Sequence, residues 1–155
     1  MIGDISKKCA FVAVDTEFTG LGDFDSRVSV TAENRFQLLR DVVRQQSILS
    51  VGLSFFERIP EPCAAADDTI KPARFRSRTF DFLTIRDDPT FVVTPAGLRF
   101  LAKSGFDFNE AFQYSLLVRT SCGTGQRSES HAARAIVQSG LKNARAVVVH
   151  NGLLD

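Results

Sequence analysis

Short apolar runs separated by polar turns recur along the chain and predict four strands. Residues 11–14, FVAV, are apolar on both faces, as expected for a strand in the middle of a sheet that is covered on both sides. Residues 47–58, SILSVGLSFFER, and residues 74–85, RFRSRTFDFLTI, are rich in β-branched and aromatic side chains, which favour strands. Residues 147–149, VVV, precede the tight turn HNG and predict a last strand.

Two segments carry apolar residues at helical spacing. The first runs from Thr31, its predicted N-cap, to Gln46. Its apolar positions are Phe36, Leu39, Val42 and Val43. The second segment, ESHAARAIVQSG, predicts a helix that packs through Ala133, Ile136 and Val137.

A third helix is indicated by the residues at its ends. Thr94 suits the N-cap, Pro95 suits the first helical position and Gly105 suits the C-cap, so residues 95–103 are predicted to be helical. Strands and helices that mix in this order predict an α/β fold with a central mixed sheet flanked by helices. The length of 155 residues predicts a single domain over residues 1–155.

Composition and charge exclude several classes of protein. With 44% hydrophobic and 24% charged residues the chain has an ordinary globular composition, and no apolar run approaches the roughly 18 residues of a membrane span, so we expect no membrane partner. The N-terminus lacks the pattern of a secretory signal, which predicts an intracellular protein.

Cys9, Cys63 and Cys122 form no CxxC pair and are predicted to be free thiols. The net charge of +1 neither indicates nor excludes nucleic-acid binding, because a narrow cleft needs only a few phosphate contacts.

Two carboxylates follow the first apolar run with one residue between them. In an extended strand Asp15 and Glu17 point to the same face, where two like charges repel unless a cation or a shared proton intervenes. Asp155 follows the last apolar run, and sites in open α/β sheets form beyond strand ends. Each feature alone also fits a structural explanation, since carboxylates are common at strand ends and Asp155 would serve as a helix N-cap. Together they predict a divalent metal site.

Three arginines alternate along the third predicted strand. Arg74, Arg76 and Arg78 share one face of that strand. They would either contact phosphate or protect an exposed edge strand by their charge, and the sequence favours neither explanation.

Four segments of the chain resemble segments of a known protein superfamily, and they occur in the same order as in that superfamily. VAVDTEFTGL and VVVHNGLLD resemble the first two motifs of DEDD-type 3′-to-5′ exonucleases. RQQSILSVGLSFF and LAKSGFDFNEAF are similar to segments of the poly(A)-specific ribonuclease branch, the CAF-type deadenylases, and within it to the Toe (target of Egr) proteins. The resemblance runs from Cys9 to Asp155 and implies a ribonuclease H-like exonuclease fold.

The resemblance implies roles for particular residues. Asp15, Glu17 and Asp155 match three of the four acidic ligands that hold two Mg²⁺ ions in such enzymes. The positions that match contacts to the RNA 3′ end and to adenosine are Phe18, Leu21, Phe106, Phe108, Asn151 and Leu154. For the aromatic residues a place in the core is an alternative, because 14 phenylalanines in 155 residues must mostly be buried.

The family's third motif, with the fourth acid and a general-base histidine, has no counterpart before Asp155. His131 and His150 are poor substitutes, so we expect the N-terminal portion of an incomplete CAF-type ribonuclease domain. The implied activity is Mg²⁺-dependent 3′-to-5′ trimming of oligo(A) or other single-stranded RNA 3′ ends to nucleoside 5′-monophosphates, weak or absent in this chain alone. The alternatives are a catalytically inactive RNA-binding or interaction module and a structural α/β domain with coincidental motifs. A nuclear location, with the cytoplasm as the alternative, and a homodimer of the intact protein are further expectations from the resemblance.

Overall fold

A computed structural model of the protein describes residues 1–20, 31–60, 72–118 and 130–150. Along these ranges five helices and five strands alternate in mixed order. The helices are α1 (Ile2–Lys8), α2 (Ala32–Gln45), α3 (Pro95–Lys103), α4 (Phe108–Tyr114) and α5 (Ser130–Leu141). The strands are β1 (Phe11–Phe18), β2 (Ile48–Arg58), β3 (Phe75–Arg86), β4 (Leu116–Val118) and β5 (Val147–Val149).

The five strands form one mixed sheet with the order β4-β3-β2-β1-β5. The pairs β1–β2 and β2–β3 are antiparallel, whereas β5 runs parallel to β1 and β4 runs parallel to β3. The predicted α/β fold with a central mixed sheet is therefore confirmed, as is the predicted interior position of β1. The order of the strands brings the end of β5 beside the carboxylates that follow the apolar half of β1.

The two faces of the sheet differ in chemistry. One face carries the core, in which buried Val12, Leu53 and Phe55 pack against residues of α1 and α5 such as Ile5 and Val137. Residues paired across antiparallel strands point to the same face, so the register assigns the remaining side chains of β1, β2 and β3 to the opposite face. That opposite face, which we call the polar face, includes Asp15, Glu17, Gly52, Ser54, Thr79 and Asp81.

The predicted helix caps are confirmed. The Thr31 hydroxyl accepts a hydrogen bond from the Asn34 N–H, and the Thr94 hydroxyl accepts one from the Gly97 N–H. Gly105 follows the end of α3 with a φ of +87°, a conformation that glycine adopts without steric cost.

The helical period located α2, but two of its four apolar positions are exposed. Leu39 is buried, yet Phe36 remains 57% exposed and Val43 is also exposed. A 3.6-residue period shows that apolar side chains share one side of a helix, but it does not supply the surface that covers them. Among the described side chains of α2, Leu39 is buried, Val42 is half-buried and the others are exposed.

Three short elements were not predicted. α1 and α4 have seven residues each and β4 has three, lengths at which periodicity carries little signal. α1 depends on tertiary contacts, because the buried Ser6 hydroxyl donates to the Gly140 carbonyl of α5. α4 has a local signal, since the Asp107 carboxylate accepts from the Glu110 N–H as an N-cap.

Cys9 is a buried free thiol, and burial raises its pKa, whereas Cys63 and Cys122 lie outside the described residues. No helix within the described ranges is long and apolar enough to cross a membrane.

Candidate metal and nucleotide site

The structure places Asp15 and Glu17 on the polar face of the sheet. Both lie within β1, which continues past the apolar run to Phe18, so their separation by one residue directs them to one side. In the register Asp15 lies opposite Gly52 and Glu17 lies opposite Ser50. The two carboxylates line a shallow cleft of about 240 Å³.

The electrostatics of this pair favour a bound cation. Burial of the Glu17 carboxyl raises its pKa, and the negative charge of Asp15 raises it further. Asp15 is exposed and Glu17 is half-buried, so the ionised pair combines repulsion with partial loss of hydration. A divalent cation between the carboxylates would offset both costs.

A third carboxylate on the same face was not identified from the sequence. Asp81 of β3 lies two strands from Asp15, with Gly52 of β2 between them. A Cβ atom at Gly52 would lie 3.0 Å from Asp81 Oδ1 and 3.9 Å from the Asp15 Cβ, so the glycine leaves open the space between the two acids. The sequence signal was available, because Asp81 is a lone acid between Phe80 and Phe82 in a strand.

The carboxylate oxygens of Asp15 and Glu17 suit a hard cation, but two residues alone do not complete its coordination shell. Carboxylate oxygens are the ligands that Mg²⁺ and Mn²⁺ prefer. Within the described ranges, no group of three or more His, Cys, Asp or Glu side chains is arranged to hold a metal ion. The predicted third ligand, Asp155, lies outside these ranges, as do Leu21, Asn151 and Leu154.

The described part of β5 nevertheless leads toward the carboxylate pair. Val149 pairs with Val14, the residue immediately before Asp15. Because β5 is parallel to β1, the chain leaves β5 at the same end of the sheet at which Asp15 and Glu17 lie. His150 is exposed at that point, and nothing is described of the His131 side chain.

A second cleft adjoins Glu17 on the side of α3. It has a volume of about 340 Å³, and Glu17, Phe18, Gly97 and Phe100 are among its lining residues. Phe18 is only 8% exposed, so most of its side chain is packed. Phe100, in contrast, is 64% exposed. The cleft therefore places an accessible aromatic ring beside a candidate metal ligand.

Phe100 was missed by the sequence reasoning although a signal existed. In α3 the buried Leu101 and the half-buried Leu98 are three residues apart and define the inward side of the helix. Phe100 lies off that stripe, so the helical period predicts an exposed aromatic ring at this position, as observed.

Hydrogen bonds at Thr19 fix the end of β1 against the start of β2 and the N-cap of α3. The buried Thr19 hydroxyl accepts from the Ser47 N–H at 3.0 Å and lies 2.7 Å from the Val92 carbonyl oxygen, to which it can donate. The Thr94 N–H donates to the Thr19 carbonyl at 2.9 Å. These bonds hold the N-terminus of α3 beside Glu17 and Phe18, which forms the second cleft.

Two glycines allow this close approach. A Cβ atom at Gly20 would lie 2.4 Å from the Thr94 hydroxyl oxygen, and one at Gly97 would lie 2.8 Å from the same atom. At Gly97 the added atom would also meet backbone, at 3.1 Å from both the Thr19 carbonyl oxygen and the Gly20 Cα. Any larger residue at these positions would separate α3 from β1.

Phe106 and Phe108 lie together at the turn between α3 and α4. Their ring centroids are 5.0 Å apart at an interplanar angle of 66°, an edge-to-face contact. Both rings are half-buried, and neither is among the residues that line the cleft beside Glu17. Their predicted contact with adenosine stays a prediction.

Comparison with known proteins places this geometry in a family. The family model described as CAF1 family ribonuclease matches residues 2–116. The 3′-5′ exoribonuclease parn-1 of Caenorhabditis elegans is 33% identical over 104 residues, which is 67% of this chain and 17% of that protein. An uncharacterised protein of Schizosaccharomyces pombe is 29% identical over 104 residues, or 64% of this chain and 23% of that protein. The chain thus spans about a fifth of the length of these curated relatives.

A solved structure shows the same fold. The Mg²⁺- and Mn²⁺-bound form of Pop2p from Schizosaccharomyces pombe superposes with a TM-score of 0.60 and 21% sequence identity, covering 98% of this chain and 53% of that one. This likeness confirms the expected ribonuclease H-like fold. The finer resemblance to Toe proteins stays a prediction. The match over residues 2–116 shows that the chain belongs to the CAF1 family of ribonucleases.

Proposed function

We propose that this chain forms part of a divalent-metal-dependent 3′-to-5′ exoribonuclease. Its substrate is the 3′ end of single-stranded RNA, with oligo(A) as the preferred sequence, and its products are nucleoside 5′-monophosphates. The observation that carries the proposal is the side-by-side placement of Asp15 and Glu17 on the polar face of β1. The relative named as a 3′-5′ exoribonuclease and the metal-bound state of Pop2p support it.

Asp15 and Glu17 would hold the metal, with Asp155 as a third ligand. Two bound Mg²⁺ ions supply an activated water and stabilise the leaving 3′-oxygen in phosphodiester hydrolysis. The protein's own contribution is positional: β1 fixes both carboxylates on one face, and the Thr19 hydrogen bonds fix the end of that strand. Partial burial of Glu17 keeps the carboxylate poorly hydrated and so favours its contact with a cation.

The cleft beside Glu17 supports the choice of a single-stranded substrate. Its lining residues include the exposed Phe100, the mostly buried Phe18 and Gly97. Aromatic rings bind unpaired bases by stacking, which a duplex does not allow. A 3′-terminal base stacked on Phe100 would bring the last phosphodiester group toward the carboxylate pair.

The test uses the protein made from its complete coding sequence. A 5′-labelled oligo(A) is incubated with Mg²⁺ or Mn²⁺, and the products are resolved at single-nucleotide resolution. We expect stepwise shortening from the 3′ end, loss of shortening with EDTA, and loss of activity by about three orders of magnitude or more in Asp15→Asn and Glu17→Gln. Asp41→Asn, which removes an exposed acid on α2, serves as the matched control and is expected to retain activity.

Three results would overturn the proposal. The first is shortening that persists in Asp15→Asn or Glu17→Gln. The second is endonucleolytic cleavage in place of single-nucleotide steps. The third is a wild-type protein that binds oligo(A) without releasing product in either metal, which would favour the inactive RNA-binding module.

A further inference from the structure

A cationic cleft lies on the opposite side of the sheet from Asp15 and Glu17. It has a volume of about 610 Å³ and lies between α1 and the first half of β3. Its cationic lining residues are Lys8, Arg76 and Arg78, all exposed, and the half-buried ring of Phe80 forms part of its wall. We call this surface the arginine cleft.

The two arginines are arranged as a pair. Arg76 and Arg78 are two positions apart on β3 and therefore point to the same face, with a spacing along the strand of about 6.6 Å. Arg74, the third arginine of the sequence pattern, precedes the strand. Each guanidinium presents a planar set of N–H donors that fits two oxygens of a phosphate group.

The positive charges of the cleft are only partly balanced by described carboxylates. Asp4, which also lines the cleft, lies 3.6 Å from Lys7, and the N-terminal amino group followed by Lys7 lowers the pKa of its carboxyl. Glu57 also lines the cleft and lies opposite Arg76 in the strand register. No carboxylate in the described ranges is within ion-pair distance of either arginine. Three basic side chains outnumber the two lining carboxylates, so the cleft keeps a net positive charge.

An open strand edge connects the arginine cleft with the polar face. β4 pairs with β3 only from Thr84 to Arg86, so along residues 75–83 one side of β3 has no partner strand among the described residues. Thr79 and Asp81 of β3 line the cleft of Asp15, whereas Arg78 and Phe80 line the arginine cleft. At this edge, β3 alone separates the polar face from the arginine cleft.

We infer that Lys8, Arg76 and Arg78 bind the phosphate backbone of single-stranded RNA upstream of its 3′ end. The RNA would pass over the open edge of β3, with its terminal nucleotides on the polar face and upstream phosphates in the arginine cleft. RNA is the occupant that the charge and the family favour, because the cleft is cationic and the chain belongs to a ribonuclease family. The inference rests on the proposed RNA substrate but does not require catalysis.

The test compares RNA length in the absence of metal. Binding of 5′-labelled oligo(A) of about 4 and about 15 nucleotides is measured by fluorescence anisotropy in EDTA, so that no hydrolysis occurs. The variant is Arg76→Ala/Arg78→Ala, and the matched control is Arg40→Ala/Arg134→Ala, which removes two exposed arginines from α2 and α5. Circular dichroism melting checks that all variants are folded.

For the arginine-cleft variant we expect about tenfold weaker binding of the longer RNA and less than about a twofold change for the shorter one. The slope of log affinity against log salt for the longer RNA should fall by about 1 to 1.5, since each phosphate contact in a single strand contributes about 0.7. The control variant should match wild type at both lengths. Arg78→Lys, which keeps the charge but loses the planar donors, should fall between wild type and the double variant.

Equal losses in the two double variants, or equal losses for both RNA lengths, would overturn the inference. Unchanged RNA affinity together with concentration-dependent aggregation of Arg76→Ala/Arg78→Ala would assign the arginines to protection of the open edge instead. Asp15→Asn separates this inference from the proposed function. If that variant and wild type both fail to shorten RNA while the length-dependent effect of the arginines persists, only the proposed catalysis fails.

Discussion

Asp15 and Glu17 share one face of β1, and the charge of Asp15 acts together with burial to raise the pKa of Glu17. The raised pKa gives a stability effect of defined sign. Between the ordinary value of 4.5 and the raised value, the folded protein binds more protons than the unfolded one. In that window the free energy of unfolding falls as pH rises, so the ionised pair destabilises the metal-free fold at neutral pH.

The first prediction concerns this pH dependence. Glu17→Gln removes the titrating group, so it should flatten the fall of the melting temperature as pH rises above 4.5 in EDTA. At pH 7 without metal the variant should be at least as stable as wild type. The measurement is a series of thermal melts from pH 4 to pH 8 with Asp41→Asn as control. A variant that keeps the wild-type slope would contradict the assignment.

The second prediction concerns the exposed ring of Phe100. If a base stacks on it, Phe100→Ala should weaken oligo(A) binding by about 1 to 3 kcal/mol with little change in melting temperature. Phe112 of α4 is the matched control, because it is 62% exposed, close to the 64% of Phe100, but does not line the cleft beside Glu17. Equal effects of the two substitutions on RNA affinity would rule out a specific role for Phe100.

The third prediction concerns the contact between α3 and the end of β1. Gly97→Ala introduces a Cβ atom 3.1 Å from backbone atoms of Thr19 and Gly20, which cannot easily move, and should cost about 1 to 3 kcal/mol of stability. Because it separates the walls of the cleft beside Glu17, it should also weaken oligo(A) binding in the fraction that remains folded.

Gly105→Ala provides the comparison for Gly97. Its φ of +87° makes any Cβ costly by about 1 to 2 kcal/mol, yet no atom lies within 4 Å of the added carbon. This variant should lose stability and keep its affinity for RNA. A Gly105→Ala protein that binds RNA as poorly as Gly97→Ala would indicate that both effects arise from general destabilisation.

The sequence predicted much of this fold because local signals and tertiary structure agree at several points. Thr31 and Thr94 are recognisable N-caps, and both hydroxyls accept the expected backbone hydrogen bonds. The apolar run of residues 11–14 indicated an interior strand, and β1 lies between β2 and β5. Periodicity did not reveal α1, because its seven residues depend on contacts with α5 such as that between Ser6 and Gly140.

Likewise, only part of the candidate site could be predicted from the sequence. The spacing of Asp15 and Glu17 on one strand was sufficient to predict their shared face. Asp81 and Phe100 stand out in the sequence as a lone acid in a strand and an aromatic residue outside the apolar stripe of a helix. Their positions beside β1 follow from strand order and helix packing, which a local pattern does not contain. The arginine pattern was recognised, but only the register showed that Arg76 and Arg78 lie on the face opposite to Asp15.

The most direct test of the account is Mn²⁺ binding, measured by electron paramagnetic resonance on wild type, Asp15→Asn, Glu17→Gln and the control Asp41→Asn. We expect wild type and the control to bind Mn²⁺ with the same affinity, and each site variant to bind at least about tenfold more weakly. Added Mg²⁺ should displace the Mn²⁺ from wild type. Equal Mn²⁺ affinity in wild type and both site variants would show that Asp15 and Glu17 do not hold the metal.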